Sequence, residues 1–231
     1  MADPRPNAPS WLPALKGTFL VFEGPDGSGK STQLRMLEAM LKDAAIPVVT
    51  VREPGGTAAG EAIRDVLLDH RQAAMDVRCE MLLYMASRAQ LVAERIAPAL
   101  AKGKVVLADR FVASTLAYQG AAGGLSINDI LAVARVVTHG AEPHAEPDLN
   151  LVFDVDEATA AARLGLLLDR MEAKGAAFHA RVRAGYLAQV EGAMAAHGGA
   201  GKDRYARIDA TQSPEAVLAD LLAVLAERFA D

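Results

Sequence analysis

Three features are scarce in this sequence, and each absence excludes a class of protein. It has one cysteine, so it forms no internal disulfide, which favours a reducing compartment such as the cytoplasm. No apolar run is long enough to span a membrane. Positive charge is not in excess: 24 lysines and arginines against 29 acidic residues give a net charge of −5. This balance argues against nucleic acid as the main partner.

The N-terminal segment contains four prolines and no long apolar core, so it does not resemble a secretory signal. We expect residues 1–15 to form a disordered leader. Residues 16–231 suit a single domain, and a hydrophobic content of 52% is ample for its core. The neighbours of Cys79 predict a buried position in a helix rather than a nucleophile.

One stretch organises the rest of the chain. Residues 24–31 match G-x-x-x-x-G-K-[ST], the phosphate-binding loop. Glycines let the backbone wrap closely around phosphate oxygens, and the N–H groups at the following helix start attract anions. The pattern predicts that Lys30 reaches the terminal phosphates and that the Ser31 hydroxyl binds Mg²⁺. The whole predicted nucleotide site is Gly24, Pro25, Asp26, Gly27, Ser28, Gly29, Lys30, Ser31 and Thr32.

Five β-rich runs alternate with helical stretches, which predicts a doubly wound α/β sheet. The runs are not strictly alternating in polarity, as expected for parallel strands covered on both faces. A long helix is expected over residues 76–100, with Pro98 bending its last turn. Ser126 and Ser213 are expected to cap two later helices. The predicted strands are 17–22, 46–51, 104–108, 149–155 and 205–208.

Polar clusters follow the first three predicted strands. The first strand ends in the glycine loop, the second in residues 52–57 (Arg-Glu-Pro-Gly-Gly-Thr) and the third in Asp109-Arg110. Ligands of parallel α/β sheets bind beyond the carboxyl ends of the strands. The three clusters are therefore expected to meet at one rim.

Through these clusters the chain resembles the thymidylate kinase family, which consists of P-loop enzymes that phosphorylate dTMP with ATP. The resemblance runs from about Gly17 to the C-terminus, and its matching segments are 22–32, 52–57, 109–120, 147–149, 169–172 and 208–212. It implies a P-loop kinase fold: a five-stranded parallel sheet with helices on both faces and a small lid around residues 163–175. It also implies ATP and dTMP as substrates, Mg²⁺ as cofactor and a homodimer, without nucleic-acid or membrane partners.

The resemblance assigns an acceptor-phosphate site. Arg110 is expected to clamp the acceptor phosphate, which suits its planar fork. Asp26 matches a residue that contacts the 3′-hydroxyl of the acceptor sugar; the alternative is an aspartate that stabilises the turn. Asp109 either holds Mg²⁺ through water or orients Arg110, unless the two form a purely structural pair. Arg52 is either a second phosphate contact or the partner of Glu53.

The resemblance also assigns a base-binding site. Tyr84 and Arg88 are spaced to share a helix face, where Tyr84 would stack on thymine and Arg88 would donate to a thymine carbonyl. Thr115 and Tyr118 match positions that touch the base and exclude a ribose 2′-hydroxyl. Gln119 is expected to contact these residues rather than the substrate itself. Without the resemblance, a core tyrosine and a surface arginine would be the default interpretation of this spacing.

The lid departs from the family pattern because it is short and rich in leucine. Arg163, Arg170 and Lys174 are the cations near it. Arg170, in Asp-Arg-Met-Glu, is the predicted arginine finger that neutralises transition-state charge. The alternative is a surface ion pair between Arg170 and Asp169 or Glu172.

The implied reaction needs no general base, because a phosphate monoester with a second pKa near ~6 is already ionised at pH 7. Lys30, Arg110, Arg170 and Asp26 are the predicted catalytic residues. Two alternatives remain open at this point: a kinase for another nucleoside monophosphate or a deoxynucleoside, and a non-catalytic protein that uses nucleotide binding as a switch.

Overall fold

A computed structural model describes residues 9–163 and 169–230. Its centre is a five-stranded parallel sheet in the order β2-β3-β1-β4-β5. The central strand is therefore β1, which pairs with β3 on one side and β4 on the other. The strands are β1 (Phe19–Glu23), β2 (Val48–Arg52), β3 (Val105–Asp109), β4 (Leu149–Asp154) and β5 (Tyr205–Asp209). This confirms the predicted α/β fold.

Helices cover both faces of the sheet because side chains of a buried parallel strand point alternately to either side. The α-helices are α1 (Lys30–Asp43), α2 (Ala58–Leu68), α3 (Val77–Leu91), α4 (Ala97–Leu100), α5 (Val112–Thr115), α6 (Ile127–Thr138), α7 (Glu157–Arg163), α8 (Ala176–Val190) and α9 (Pro214–Phe229). Leu20 and Phe22 share a buried cluster with leucines of α1 and α9. Phe19 and Val21 point the other way and cluster with side chains of α3 and α4.

All five predicted strands are present. The observed β1, β2 and β3 lie one or two residues further along the chain than predicted, whereas β4 ends one residue earlier and β5 one residue later. Gly17 has a positive φ of 79° and forms the turn before β1, so the strand begins at Phe19. Ile46, predicted as the start of β2, donates its N–H to Leu41 O at 2.8 Å and closes the end of α1 instead. The strand then begins at Val48.

The long helix predicted over 76–100 is interrupted near Pro98, as expected. A π-type turn (Val92–Ile96) separates α3 from α4. Proline lacks an N–H and its ring collides with the carbonyl four residues earlier, so the regular α-helical ladder cannot continue through it. The caps at Ser126 and Ser213 are confirmed, since each hydroxyl accepts the backbone N–H three residues later.

Two local expectations differ from the structure. Residues 1–8 of the expected leader lie outside the described residues, but Leu12–Leu15 forms a 3₁₀-helix whose two leucines are fully buried against the sheet. Cys79 lies in α3 as predicted but is exposed, so the expectation of a buried position is wrong. Within 9–163 and 169–230, no helix combines the length and the apolar character needed to cross a membrane.

The burial of Leu15 generates a test. Leu15→Ala removes a fully buried side chain and should lower the free energy of unfolding by about 2–5 kcal/mol. Val136→Ala is the control, because Val136 is 76% exposed and its truncation should change stability by no more than about 0.5 kcal/mol. Urea unfolding measures both. Equal stabilities of the two variants would contradict the docking of the 3₁₀-helix on the core.

Candidate active site

The glycine loop connects β1 to α1 and is packed too tightly for side chains at two positions. Gly24 has a φ of 134°, and a Cβ there would lie 2.4 Å from the carbonyl oxygen of Phe153. Gly27 has a φ of 77°, and its Cβ would lie 2.4 Å from Ala160 O. Only glycine fits both the backbone conformation and the space. The loop therefore lies directly against the end of β4 and helix α7.

Lys30 is the first residue of α1, and its side chain folds back over the loop. Its amino group donates to Pro25 O at 2.8 Å and lies 3.4 Å from Ser28 Oγ, and the residue is buried. Burial and the nearby Arg110 charge lower the pKa of Lys30 to about 8, although Asp26 and Asp109 act in the opposite direction. A bound phosphate would favour the charged ammonium.

Ser31 and Asp109 meet across the junction between the loop and β3. The Ser31 hydroxyl donates to Asp109 Oδ2 at 2.5 Å. Hydroxyl and carboxylate oxygens are ligands that suit Mg²⁺, which typically takes one or two protein oxygens together with substrate phosphates and water. The chemistry of this pair therefore fits the predicted metal site, and Asp109 makes this contact rather than a structural pair with Arg110.

Arg110 lies at the end of β3 and reaches across to the glycine loop. Its Nη2 pairs with Asp26 Oδ1 at 2.5 Å, and its Nη1 donates to Gly24 O at 3.0 Å. Tyr118 donates its hydroxyl to the other Asp26 oxygen at 3.0 Å. Burial opposes ionisation of Asp26, but the Arg110 and Lys30 charges outweigh it and hold its pKa well below the ordinary value. The predicted acceptor residues thus form one ionised cluster beside the loop.

Arg88 is almost fully buried, and several hydrogen bonds fix its guanidinium. Glu53 accepts from its Nε at 2.8 Å and from its Nη2 at 2.6 Å. Phe111 O accepts from Nη2 at 2.9 Å, and Thr115 Oγ1 lies 3.2 Å from both terminal nitrogens. Burial raises the pKa of Glu53 to about 7, although the Arg88 charge lowers it. Glu53 is therefore the partner of Arg88, not of Arg52.

Arg52 pairs with Glu61 at 2.9 Å near the surface and also lines the cavity. The alternative in which Arg52 pairs with Glu53 is wrong, because Arg88 occupies that carboxylate. Arg64 of α2 lines the same wall and donates to Pro54 O at 2.9 Å. Two arginines thus line this wall of the cavity, and Arg64 was not singled out from the sequence.

Arg170 does not point into the cavity, as the predicted arginine finger would. Its guanidinium is buried and pairs with Glu80 at 2.8 Å, while its Nε donates to Leu67 O at 2.6 Å. Lys174 and Gln119 donate to the same Glu80 carboxylate at 2.9 and 2.8 Å. Arg170 is absent from the cavity lining, because the buried Glu80 carboxylate and the Leu67 carbonyl hold its guanidinium. It forms neither of the two surface pairs considered as alternatives.

One cavity of about 730 Å³ joins these elements at the carboxyl ends of β1, β2 and β3. It brings together almost all the predicted site residues: Asp26, Gly27, Ser28, Gly29, Lys30, Ser31, Thr32, Arg52, Tyr84, Arg88, Asp109, Arg110, Thr115, Tyr118 and Gln119. Arg163, at the end of α7, is the lid-side arginine that lines it. Its guanidinium donates to the carbonyl of Ala210 at 2.7 Å.

Four buried residues that support the site were not singled out from the sequence: Glu23, Ser114, Tyr186 and Glu80. The Glu23 carboxylate accepts from Ser114 Oγ at 2.6 Å and from Tyr186 OH at 3.2 Å. Glu23 could have been found from the sequence, because it is an acidic residue at the end of a buried apolar strand. The other three depend on contacts between distant segments, which local patterns do not encode.

A glycine loop that precedes a helix, with Arg110 paired to Asp26 of that loop in one cavity, is the arrangement of a P-loop protein that binds nucleotide phosphates. Comparison with known proteins agrees. The family model described as thymidylate kinase matches residues 22–221. A thymidylate kinase of Pelotomaculum thermopropionicum is 44% identical over 211 residues, which cover 90% of this chain and 92% of the relative.

A second relative, the thymidylate kinase of Pseudomonas putida, is 42% identical over 213 residues, covering 91% of this chain and 96% of that protein. The crystal structure of thymidylate kinase from Ehrlichia chaffeensis superposes with a TM-score of 0.68 at 28% identity. That match covers 91% of this chain and 98% of the other. The chain belongs to the thymidylate kinase family.

The placement of Arg170 generates a test of its role. Arg170→Met leaves buried Glu80 with two donors instead of three, so stability should fall by about 1–3 kcal/mol. With both substrates saturating, kcat should stay within about threefold of the parent, or roughly 0.65 kcal/mol in barrier. Lys174→Met is the matched control, since it removes a more exposed partner of Glu80 and should destabilise less. A loss of kcat approaching ~10³-fold would instead restore the finger.

Proposed function

We propose that this chain is an enzyme that transfers the γ-phosphoryl group of ATP to dTMP, giving dTDP. The observation that carries the proposal is the contact between Arg110 and the glycine loop. Arg110 Nη1 lies 3.0 Å from Gly24 O, so the acceptor clamp touches the donor loop itself. Two phosphates held on either side of this contact would lie within reach of each other.

On the donor side, the N–H groups of residues 24–32 would bind the ATP phosphates, and Lys30 would contact the terminal ones. Ser31 and Asp109 would hold Mg²⁺, which neutralises developing charge on the transferring group when it is bound. The 2.5 Å contact between their oxygens supports this assignment.

On the acceptor side, Arg110 would bind the dTMP phosphate, with Arg52 as a further contact. Asp26 would accept a hydrogen bond from the 3′-hydroxyl. Tyr118, whose hydroxyl already donates to Asp26, would then crowd the adjacent sugar carbon and disfavour a ribose 2′-hydroxyl. Binding dTMP would require Arg110 to exchange part of its Asp26 contact for phosphate oxygens.

The base would be selected deeper in the cavity. Tyr84 lines it and stays neutral, because burial and the nearby Glu80 charge raise its pKa. It would stack on thymine. Arg88 would donate to a thymine carbonyl from the fixed orientation that Glu53 imposes. Thr115 would touch the base. Gln119 also lines the cavity and donates a hydrogen bond to Glu80.

The chemistry follows from the substrates. An oxygen of the acceptor phosphate attacks the γ-phosphorus, and the bond from that phosphorus to the bridging oxygen of ADP breaks. The acceptor is already anionic, so no general base is required. The protein contributes alignment and positive charge. Lys30 and Arg110 supply that charge at the loop, while the Arg170 charge is neutralised by Glu80.

An ADP-release assay with ATP and a panel of nucleoside monophosphates tests the proposal. We expect dTMP to be preferred over dCMP, dGMP and dAMP, because Tyr84, Arg88 and Thr115 line one cavity and would contact the base. Arg110→Ala is the informative variant and should raise the KM for dTMP while ATP binding stays nearly intact. Equal turnover of the whole panel, or no turnover at all with ATP bound, would refute the assignment.

The pKa of Lys30 predicts how nucleotide affinity varies with pH. In the free protein this pKa is lowered to about 8, and phosphate binding favours the protonated form. Below the free-protein value the lysine is charged before and after binding, so affinity is flat. Above it, binding must take up a proton, and affinity should fall by up to about tenfold per pH unit.

Calorimetric titration with ADP between pH 6.5 and 9.5 measures this effect. Lys30→Arg is the control, because arginine stays protonated throughout. Its affinity can be lower but should show no inflection in this range. The same inflection in parent and Lys30→Arg would assign the proton to another group.

We further propose a homodimer and a cytoplasmic location. The family resemblance supports the homodimer, and the single cysteine supports the cytoplasmic location. Sedimentation of the purified chain at several concentrations tests the dimer.

A further inference from the structure

The backbone of Arg110 has a conformation that its side chain disfavours. Its φ is 73°, and Ala45 is the other non-glycine residue with positive φ in 9–163 and 169–230. A Cβ is crowded in this left-handed region. Such residues persist only where the surrounding structure fixes them, and they concentrate at functional sites.

The two peptide groups that flank Arg110 are fixed by consecutive residues of β1. The Arg110 N–H donates to Phe22 O at 3.0 Å, as part of the parallel ladder. The next N–H, of Phe111, donates to the Glu23 side chain at 2.8 Å. With both neighbouring peptide planes held, the φ and ψ of Arg110 are determined.

Glu23 also holds the groups that receive the Arg110 side chain. Its second carboxylate oxygen accepts from Ser114 Oγ at 2.6 Å and from Tyr186 OH at 3.2 Å. Those same two oxygens accept from Arg110 Nη1 at 3.2 and 3.0 Å. One carboxylate thus organises both the backbone of Arg110 and two of the acceptors around its guanidinium.

Glu23 does not touch the cavity. It is fully buried and is not among the lining residues, so it cannot bind substrate directly. A buried carboxylate is unfavourable unless hydrogen bonds compensate it. Here four contacts do so, from Phe111 N, Ser114 N, Ser114 Oγ and Tyr186 OH.

We propose that Glu23 is the positioning residue of Arg110: its carboxylate locks the left-handed turn that aims the guanidinium at the acceptor phosphate. The proposal rests on the proposed function, because it takes Arg110 as the acceptor clamp. It adds a specific residue, outside the cavity, on which acceptor binding depends.

Steady-state kinetics of two Glu23 variants test it. Glu23→Ala releases the Phe111 N–H and should reduce kcat/KM for dTMP on the order of 10²-fold, as expected for a misplaced catalytic contact. The loss should come mainly from a higher KM for dTMP, with the KM for ATP unchanged. Glu23→Gln keeps an oxygen acceptor for that N–H and should retain most of the activity.

Glu23→Asp covers the case in which Glu23→Ala does not fold. It keeps a carboxylate in the same surroundings but withdraws it from the Phe111 N–H by one methylene, so the KM for dTMP should also rise. A folded Glu23→Asp or Glu23→Ala protein with the parental KM for dTMP would overturn the proposal. Parallel losses for dTMP and ATP would also overturn it, because they indicate general damage to the loop.

A double-mutant cycle with Arg110→Ala adds a second criterion. If Glu23 acts through Arg110, Glu23→Ala should have no further effect on kcat/KM for dTMP once the guanidinium is absent. An effect as large as that in the parent would show that Glu23 acts independently. If the parent prefers another nucleoside monophosphate, the proposed function fails, but the same cycle run with that substrate still tests Glu23, since each carries the same 5′-phosphate.

Discussion

The register between β1 and β3 is the constraint on which the site depends. Phe22 lies opposite Asp109, so the glycine loop leaves one strand at the level where Asp109 and Arg110 leave its neighbour. A shift of one residue would turn every side chain of the strand to the other face. It would also separate Ser31 from Asp109 and Asp26 from Arg110. Apolar packing on both faces of the sheet fixes this register. It therefore also fixes the positions of the polar residues at the carboxyl ends of β1 and β3.

Three ion pairs hold arginine side chains around the cavity. Asp26 pairs with Arg110, Glu53 with Arg88 and Glu80 with Arg170. An unpaired buried charge is strongly unfavourable, whereas a well hydrogen-bonded pair is tolerated. The pairs therefore let several arginines remain inside a protein of net negative charge while keeping their orientations fixed. In the proposed function, Arg110 is the member of this set that would exchange part of its pairing for contacts with the acceptor phosphate.

The sequence predicted the features that depend on neighbouring residues, namely the glycine loop and the strands. Glycine spacing identified the loop, and apolar runs located all five strands to within two residues. Some site residues were predicted from motifs at strand ends and others from the family resemblance. All of them line one cavity except Gly24, Pro25 and Arg170. Partnerships across long separations were not predictable in the same way. Arg52 was considered for Glu53, but Arg88, 35 residues further along, holds that carboxylate. Arg170 matched a motif, yet its environment is set by Glu80, 90 positions away in the chain, and by burial that no local pattern reveals.

Helix α3 carries three of these side chains along one side. Glu80, Tyr84 and Arg88 are spaced four residues apart, so they rise along the helix in steps of about 6 Å. Glu80 binds Arg170 and Lys174, Tyr84 lines the cavity, and Arg88 pairs with Glu53 at the C-terminal end of the helix. The position of α3 therefore determines both where Tyr84 and Arg88 lie in the proposed base pocket and where Arg170 and Lys174 are held. Redesign of the base preference by moving this helix would transmit the displacement to Arg170 and Lys174, so a change of specificity is better sought in side chains than in the backbone of α3.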